Sequence, residues 1–250
     1  MQKNDAVGQI GNKLFLDNLA YDSVVFGFSG DKLKILIMEY HNTGLYALPG
    51  GFIPVDEDLN EAVKQGLKAR TGLDNVYLEQ FYTFGSASRN NTGEMAKILE
   101  ANHLDHDDVS WILQRMVSVA YYALIDHRNV QPQPDALSDS CAWYELDMLP
   151  PLIQDHEKIV DKALETLRMN LDRKLEGVNL LPEKFTMNQL QKVYEAILSE
   201  KLHRGSFQRK ILGLGILERH EKQFSGAAHK APFLYSFRKT QAIQKKGTTT

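Results

Sequence analysis

The sequence is short of the features that mark secreted and membrane proteins. It contains a single cysteine, Cys141, so no disulfide can form within the chain. No apolar run approaches the roughly 20 residues that a membrane-spanning helix needs. The N-terminus also lacks the charged and then apolar layout of a signal peptide. These absences predict a soluble, cytoplasmic protein with no membrane partner.

The chain as a whole lacks a strong net charge of one sign, but its C-terminal segment has one. The formal net charge is -3, yet residues 201–250 contain 11 Lys and Arg against 2 Asp and Glu, and the preceding residues are correspondingly acidic. A basic end on an acidic body predicts contact with a polyanion. The alternative is a basic segment that is merely solvated, and we favour it for the tail at residues 241–250.

Residues 1–150 predict an α+β fold with a mixed sheet between helices. Two β-rich apolar runs flank Ser29–Asp31, which is a hairpin signal. Residues 56–71 carry apolar side chains every three to four positions, the pattern of an amphipathic helix. Further strands are predicted at 76–84 and at 116–126, where an almost unbroken apolar run is typical of a central strand.

An inserted segment at residues 94–114 separates these last two strands. Its two apolar stripes at helical spacing predict a helical hairpin. Polar residues lie between the stripes: His103, Asp105, His106, Asp107 and Asp108. We favour a polar turn with an N-cap over a metal site here. Three roles stay open for the insertion, namely a dimer contact, a lid over a pocket or a decoration of the fold.

The second half of the chain predicts a helix followed by a small domain. Residues 151–178 indicate a long connecting helix with one apolar stripe. Residues 179–240 begin with a capping box at Thr186 and Gln189 and continue with a first helix, a short basic helix and a β-hairpin. That order predicts a winged helix-turn-helix domain, followed by the tail at residues 241–250.

The stretch LPGGFIPVDEDLNEAVKQGLKARTGL, which begins at Leu48, lacks acids in its middle. It resembles the Nudix box, G-x5-E-x7-R-E-U-x-E-E-x-G-U, in which U is a large aliphatic residue. The positions that fit this frame are Gly51, Glu57, Leu67, Gly72 and Leu73. The three acid positions, which share one helix face, instead hold Gly66, Ala69 and Arg70.

Those acids would hold the divalent cations that offset the charge of the phosphates and of the attacking water. With none of the three present, we predict no catalytic residues, no metal and no cofactor, and therefore no enzyme. Gly66 is also expected to weaken the helix by roughly 1 kcal/mol relative to Ala. The alternative is a Nudix hydrolase of ADP-ribose, or of a related nucleoside diphosphate, that uses other carboxylates.

From about residue 24 to residue 237, the chain resembles the Nudix-related transcriptional regulators. The resemblance is carried by YALPGGF, SVAYYALI, AWYELDMLPPLIQDH and NLLPEKFTMNQLQKVYEAIL followed by HRGSFQRKIL. It implies a homodimer that binds double-stranded operator DNA and responds to a small-molecule effector. Members with depleted boxes respond to pentoses such as L-arabinose, and our main prediction is therefore control of sugar-utilisation genes. The alternative is an ADP-ribose-sensing regulator of NAD metabolism.

The effector site would use hydrogen-bonding side chains and an aromatic face. The candidates, chosen for expected proximity to the cleft, are Glu39, Tyr46, Phe52, Glu57 and Arg115. For each of them a structural role is an equal alternative. The two aromatic residues could belong to the core, and Glu39 and Arg115 could form salt bridges at the rim.

The DNA site is predicted on the basic helix and on the wing. The candidates are Arg204, Ser206, Gln208, Arg209 and Lys210 on the helix, with Lys222, His229 and Lys230 on the wing. Arg and Gln can read base edges, while Lys contacts phosphates. Phe207, Ile211 and Leu212 are expected to face inward. A solvated basic helix, or an adaptor that binds RNA or protein, is the alternative.

Overall fold

The computed structural model describes residues 14–29, 32–74, 76–89, 92–104, 110–127, 131–174, 181–223 and 231–238. The main sheet consists of β1 (Phe15–Ser29), β2 (Lys32–Tyr40), β3 (Tyr46–Ala47), β4 (Gly50–Pro54), β5 (Glu79–Phe84), β6 (Val117–Asp126) and β7 (Ser138–Glu145). Its helices are α1 (Leu59–Thr71), α2 (Thr92–Ala101) and α3 (His156–Lys174). No helix in these ranges is long and apolar enough to cross a membrane.

The main sheet is mixed, as the sequence predicts. Its strand order is β3-β2-β1-β6-β5, with β4 paired to β1 and β7 paired to β2. Strands β1 and β2 are antiparallel neighbours, so the hairpin prediction is confirmed. Strand β6 runs parallel to β1 over ten residue pairs and lies between β1 and β5, which confirms its predicted central position.

Helices cover both faces of this sheet, which explains the unbroken apolar runs. Along β1, Val24 and Phe26 belong to the cluster that contains α3, whereas Val25 packs with Leu67 of α1. The same alternation occurs in β2 and β6, because neighbouring side chains of a strand point to opposite faces. The predicted α+β sandwich is therefore confirmed.

Helix α1 ends where the sequence predicts. Gly72 adopts φ 72°, a left-handed conformation that favours glycine, and its N–H donates to the carbonyl of Lys68 at 2.8 Å. This C-cap fixes the helix that carries the Nudix-like box. Residues 66, 69 and 70 are thereby held on its cavity side.

Among the described residues of the inserted segment only the first part is an α-helix, so the predicted helical hairpin is wrong at residues 110–116. Helix α2 forms, but residues 110–113 make a single 3-10 turn. There the burial of Ile112 and the packing of Trp111 on Phe52 decide the conformation in place of helical periodicity. His103 adopts φ 55°, and the other acids and histidine of the predicted polar turn lie outside the described residues.

The C-terminal part forms a winged helix. Its elements are β8 (Phe185–Thr186), α4 (Met187–Leu198), α5 (Arg204–Gly213), β9 (Leu217–Lys222) and β10 (Phe233–Phe237). The three strands form a sheet in the order β8-β10-β9. The capping box of Thr186 and Gln189 opens α4 as predicted.

Helix α3 packs against both parts of the protein. It contacts β1, β5 and β6 of the main sheet and also α4 of the winged helix. Arg168 donates its Nε–H to the carbonyl of Ile197 at 2.8 Å. The predicted domain limits at residues 150, 178 and 240 stay predictions.

Candidate functional site

One cavity of about 400 Å³ lies between α1, the start of α3 and the inserted segment. Its volume is within the range of roughly 300–1,000 Å³ that is usual for small-molecule sites. The side chains that line it are both charged and apolar, and they include Tyr21, Asp22, Phe52, Glu57, Arg70, Arg89, Asp135 and His156. The cavity can therefore accommodate a ligand that has a polar part and an apolar part.

The α1 wall of the cavity carries the depleted box. Gly66, Ala69 and Arg70 line it, so the three positions that hold acids in the Nudix box face the cavity. A Cβ atom at Gly66 would lie 1.6 Å from the hydroxyl oxygen of Tyr21. The Tyr21 phenol, 3% exposed, thus occupies the space that any side chain at position 66 would need.

The residues at this wall do not fit the metal site of the Nudix box. Burial is the largest factor that raises the pKa of Tyr21 to about 12, so its phenol stays protonated at neutral pH. Glu57 lines the cavity, but the described part of the chain contains no group of three or more His, Cys, Asp or Glu side chains placed to hold a metal. The geometry supports the predicted loss of metal chemistry, which stays a prediction.

Arg70 puts a cation where the box would place a metal ligand. Its Nη1 lies 3.2 Å from Oδ2 of Asp135, and its guanidinium carbon lies 5.6 Å from the centre of the Tyr40 ring. Its side chain is 15% exposed. The Nε and Nη2 atoms are buried and have no hydrogen-bond partner among the described residues. Tyr40, which also lines the cavity, is a further hydrogen-bonding neighbour of this guanidinium.

A second guanidinium, that of Arg89, is fixed by two carboxylates. Its Nη2 donates to Oδ2 of Asp22 at 3.0 Å and its Nε donates to Oδ1 of Asp155 at 2.7 Å. Ser118 also donates to Oδ2 of Asp22, at 2.6 Å. The Arg89 side chain is 4% exposed, and its Nη1 has no partner in the described ranges. Since Asp155 directly precedes α3, Arg89 links the cavity to that helix.

His156, the first residue of α3, completes this charged cluster in its neutral form. Its Nδ1 accepts the backbone N–H of Leu48 at 3.0 Å, and its Nε2 lies 3.4 Å from Oδ1 of Asp22. Burial is the largest cause that lowers the pKa of His156, and Arg89 lowers it further, while Asp22 opposes the shift. The proton therefore lies on Nε2, facing Asp22.

The inserted segment contributes to the apolar side of the cavity. Trp111 stacks on Phe15 with ring centres 5.4 Å apart and meets Phe52 edge-on at 4.6 Å. The apolar insertion residues that line the cavity are Met95, Ile98, Leu99, Leu104, Ile112 and Leu113. Of the roles left open by the sequence, a wall over the pocket is the one that this geometry supports.

The structure brings two of the five predicted effector residues to the cavity. Phe52 and Glu57 line it. The other three do not line it, and their role in effector binding stays a prediction. Glu39, opposite Tyr46 in the β2–β3 pairing, accepts from Ser140 at 3.0 Å, and Tyr46 packs edge-on against Tyr144. Arg115 is exposed and donates to the carbonyl of Gly85 at 2.8 Å. Strand pairing and a loop contact direct these side chains elsewhere.

Sequence reasoning missed the cluster of Tyr21, Asp22, Arg89 and His156. One signal could have found part of it, because an aspartate within the apolar run YDSVVFGF of a buried strand needs a charged partner. Nothing in the local pattern around Arg89 identifies that partner. The two residues are 67 positions apart.

The basic helix presents its predicted face to solvent. In α5, Arg204, Ser206 and Arg209 are exposed, Gln208 is half-buried, and Phe207 is buried against Tyr194 with ring centres 5.0 Å apart. Since each residue advances about 100° around a helix, Arg209 points away from the buried pair Phe207 and Ile211. The side chain of His203 caps the helix.

Two predictions on this helix change in the structure. Leu212 is 45% exposed and not inward-facing, because it lies one position beyond the buried Ile211 and turns away from the core. Lys210 forms an ion pair with Asp172 of α3 at 2.8 Å, so a phosphate contact would have to compete with that carboxylate. This ion pair also holds α5 against α3.

The wing carries cations that pack on an aromatic ring. Lys222 lies 5.2 Å from the centre of the Phe233 ring, and the guanidinium of Arg219, which sequence reasoning missed, lies 4.7 Å from it. The predicted tip residues His229 and Lys230 lie outside the described residues. The described part of the wing thus retains two cations near the hairpin end.

Comparison with known proteins agrees with this architecture. Residues 177–237 match the family model of the NrtR DNA-binding winged helix domain. Over 227 residues the chain is 29% identical to the ADPR responsive transcriptional repressor NtrR of Acinetobacter baylyi, which covers 88% of this chain and 81% of that protein.

Solved structures extend the similarity to the whole fold. Shewanella oneidensis NrtR complexed with a 27mer DNA aligns with a TM-score of 0.63 and 27% identity, covering 88% of this chain and 93% of that one. A MutT/nudix family protein from Enterococcus faecalis aligns with a TM-score of 0.63 at 17% identity over 95% and 99% of the two chains, which supports the fold alone.

None of these similarities supports the predicted control of sugar-utilisation genes. The similarity to the ADPR responsive repressor favours the alternative prediction, a regulator that senses ADP-ribose. The winged helix match and the similarity to NrtR over most of its length make this chain similar to the Nudix-related transcriptional regulators.

Proposed function

We propose that this protein is an ADP-ribose-responsive, DNA-binding transcriptional regulator whose Nudix-type domain binds its effector without hydrolysing it. The proposal draws on the similarity to the repressor of Acinetobacter baylyi and on the match to a DNA-binding winged helix domain. This proposal includes the operator DNA, the homodimeric state and the cytoplasmic location expected from the sequence. A homodimer is expected because such regulators bind two-fold symmetric duplex sites.

The observation that carries the proposal is the link from Arg89 to Asp155. Arg89 lines the cavity, and its Nε is 2.7 Å from the carboxylate that directly precedes α3. A ligand that accepts from Arg89 alters the charge balance at this point. Helix α3 then reaches the DNA-binding part through the Arg168 contact with Ile197 and the ion pair of Asp172 with Lys210.

A ligand shifts DNA affinity only as far as it binds the two conformations unequally. Coupling free energies of this kind usually correspond to a change of about 5- to 150-fold in affinity. We therefore expect ADP-ribose to change the dissociation constant for the operator duplex by a factor in that range. L-Arabinose and D-xylose, the effectors of our main sequence prediction, are expected to leave it unchanged.

The test is a fluorescence-anisotropy titration with the labelled duplex upstream of the protein's own gene, carried out with and without each compound. A duplex of scrambled sequence is the control for specific binding. Incubation of the protein with ADP-ribose and magnesium, followed by chromatography for AMP, tests hydrolysis in parallel. A response to a pentose alone, or AMP formation at an enzymatic rate, would overturn the proposal.

A further inference from the structure

Three guanidinium nitrogen atoms in or beside the cavity have no acceptor in the described part of the chain. They are Nη1 of Arg89 and the Nε and Nη2 atoms of Arg70. Both arginines line the cavity, and both side chains are mostly buried. Buried charged donors are normally satisfied, so these nitrogens favour a ligand that supplies acceptor oxygens at this wall.

The carboxylates nearby leave these donors free. Asp135 engages Nη1 of Arg70, while Asp22 and Asp155 engage the other two nitrogens of Arg89. Glu57 also lines the cavity, and its charge and that of Arg70 both act on the Tyr21 phenol. Each guanidinium is therefore oriented by its own carboxylates. Its remaining N–H groups do not contact those carboxylates.

The position of Arg70 suggests what replaces the metal. The Nudix box places a carboxylate there to hold a divalent cation against a diphosphate, whereas this chain places the cation itself on the protein. A guanidinium offers two parallel N–H groups that match the spacing of phosphate oxygens. The Tyr21 phenol, which fills the space beside Gly66, keeps a side chain with a metal-binding carboxylate out of that position.

We infer that this cavity binds the diphosphate of its effector without a divalent cation, with the guanidinium of Arg70 supplying the positive charge in place of the metal and Arg89 donating from a second side. This inference rests on the proposed function, in which the effector is ADP-ribose. It makes ligand binding independent of the magnesium concentration.

The first experiment is isothermal titration calorimetry of the full-length protein with ADP-ribose, in EDTA and in millimolar magnesium. We expect the two dissociation constants to agree within about twofold, because ADP-ribose should bind in the same way in both buffers. Binding that is lost or weakened tenfold or more in EDTA overturns the inference and leaves the proposed function standing. Absence of ADP-ribose binding in both buffers overturns the proposed function as well.

The second experiment compares Arg70→Met with Lys68→Met, a control that removes an exposed cation from the same helix. Lys68 pairs with Asp74 on the surface. Loss of a charge-assisted hydrogen bond is expected to weaken ADP-ribose binding by about 10- to 100-fold in Arg70→Met, with no change in the control. Arg70→Lys, which keeps the charge, should be intermediate.

Adenosine, which lacks phosphates, separates charge recognition from loss of folding. The affinity of adenosine for Arg70→Met should equal its affinity for the unmodified protein, because adenosine has no phosphate for Arg70 to bind. Equal ADP-ribose affinity in Arg70→Met and in the unmodified protein would overturn the inference, and so would a parallel loss of adenosine binding.

Discussion

Replacing Gly66 by alanine separates helix propensity from tertiary packing, because the two effects have opposite signs. Alanine within a helix is favoured over glycine by roughly 1 kcal/mol, so the sequence alone predicts that Gly66→Ala stabilises the protein. In the structure, the added Cβ would lie 1.6 Å from the Tyr21 hydroxyl oxygen and 2.8 Å from the ring carbon that bears it. The Tyr21 side chain is 3% exposed and must shift to make room for the added atom.

Overpacking of this kind usually costs about 1–3 kcal/mol. Subtracting the gain of roughly 1 kcal/mol from propensity leaves a net destabilisation of about 0–2 kcal/mol. For a protein of this size, that corresponds to a fall of up to about 8 °C in the melting temperature. Tyr21→Phe removes the hydroxyl, so the cost of Gly66→Ala should be smaller in that background.

The assay is thermal unfolding followed by circular dichroism, with Gly213→Ala as the matched control. Gly213 is also helical, but a Cβ there meets nothing within 4 Å. The control should be neutral or slightly stabilised. If Gly66→Ala raises the melting temperature as much as Gly213→Ala does, the Tyr21 phenol does not occupy the space beside Gly66, and the structural reason for excluding an acid there fails.

Three further predictions concern the charged cluster and the DNA face. Because burial lowers the pKa of His156 in the folded state, the unfolded chain binds more protons than the folded protein below about pH 6.5. The free energy of unfolding, measured with urea, should therefore be full above that pH and fall below it. His156→Gln should reduce the dependence of this free energy on pH. Asp155→Asn should retain ADP-ribose binding in calorimetry but lose most of the effect of ADP-ribose on duplex affinity; an undiminished effect would refute the route through Arg89. Arg209→Met should weaken operator binding by about 1–3 kcal/mol and leave the melting temperature unchanged, because the Arg209 side chain is exposed. Anisotropy titrations that are equal for the variant and the unmodified protein would exclude Arg209 from the DNA face.

The effector illustrates how a supported family resemblance can accompany a less supported detail. The depleted acid positions led to a pentose as the main prediction, since a neutral sugar needs no metal. The cavity instead contains two buried arginines with free donors, which suit an anionic ligand better. The absence of metal ligands in a sequence therefore does not imply a neutral ligand, because a guanidinium can take over the role of the cation.

Features that depend on neighbouring residues could be determined from the sequence alone. The apolar periods predicted the helix at 56–71 and the central strand at 116–126, which the structure has at 59–71 and 117–126, and Thr186 with Gln189 identified the start of α4. The missing acids at 66, 69 and 70 were also evident, since their shared helix face follows from spacing. These signals are local, so one chain suffices to read them.

Only the tertiary structure decided which distant side chains meet. Arg89 is 67 residues from Asp22 and 66 from Asp155, and no local pattern encodes that convergence. The phenol of Tyr21 beside Gly66, the insertion that walls the cavity and the outward turn of Leu212 likewise arise from packing. Local periodicity determines which face of an element is buried, whereas the packing of elements against one another determines what that face touches, and the effector site is built from such contacts.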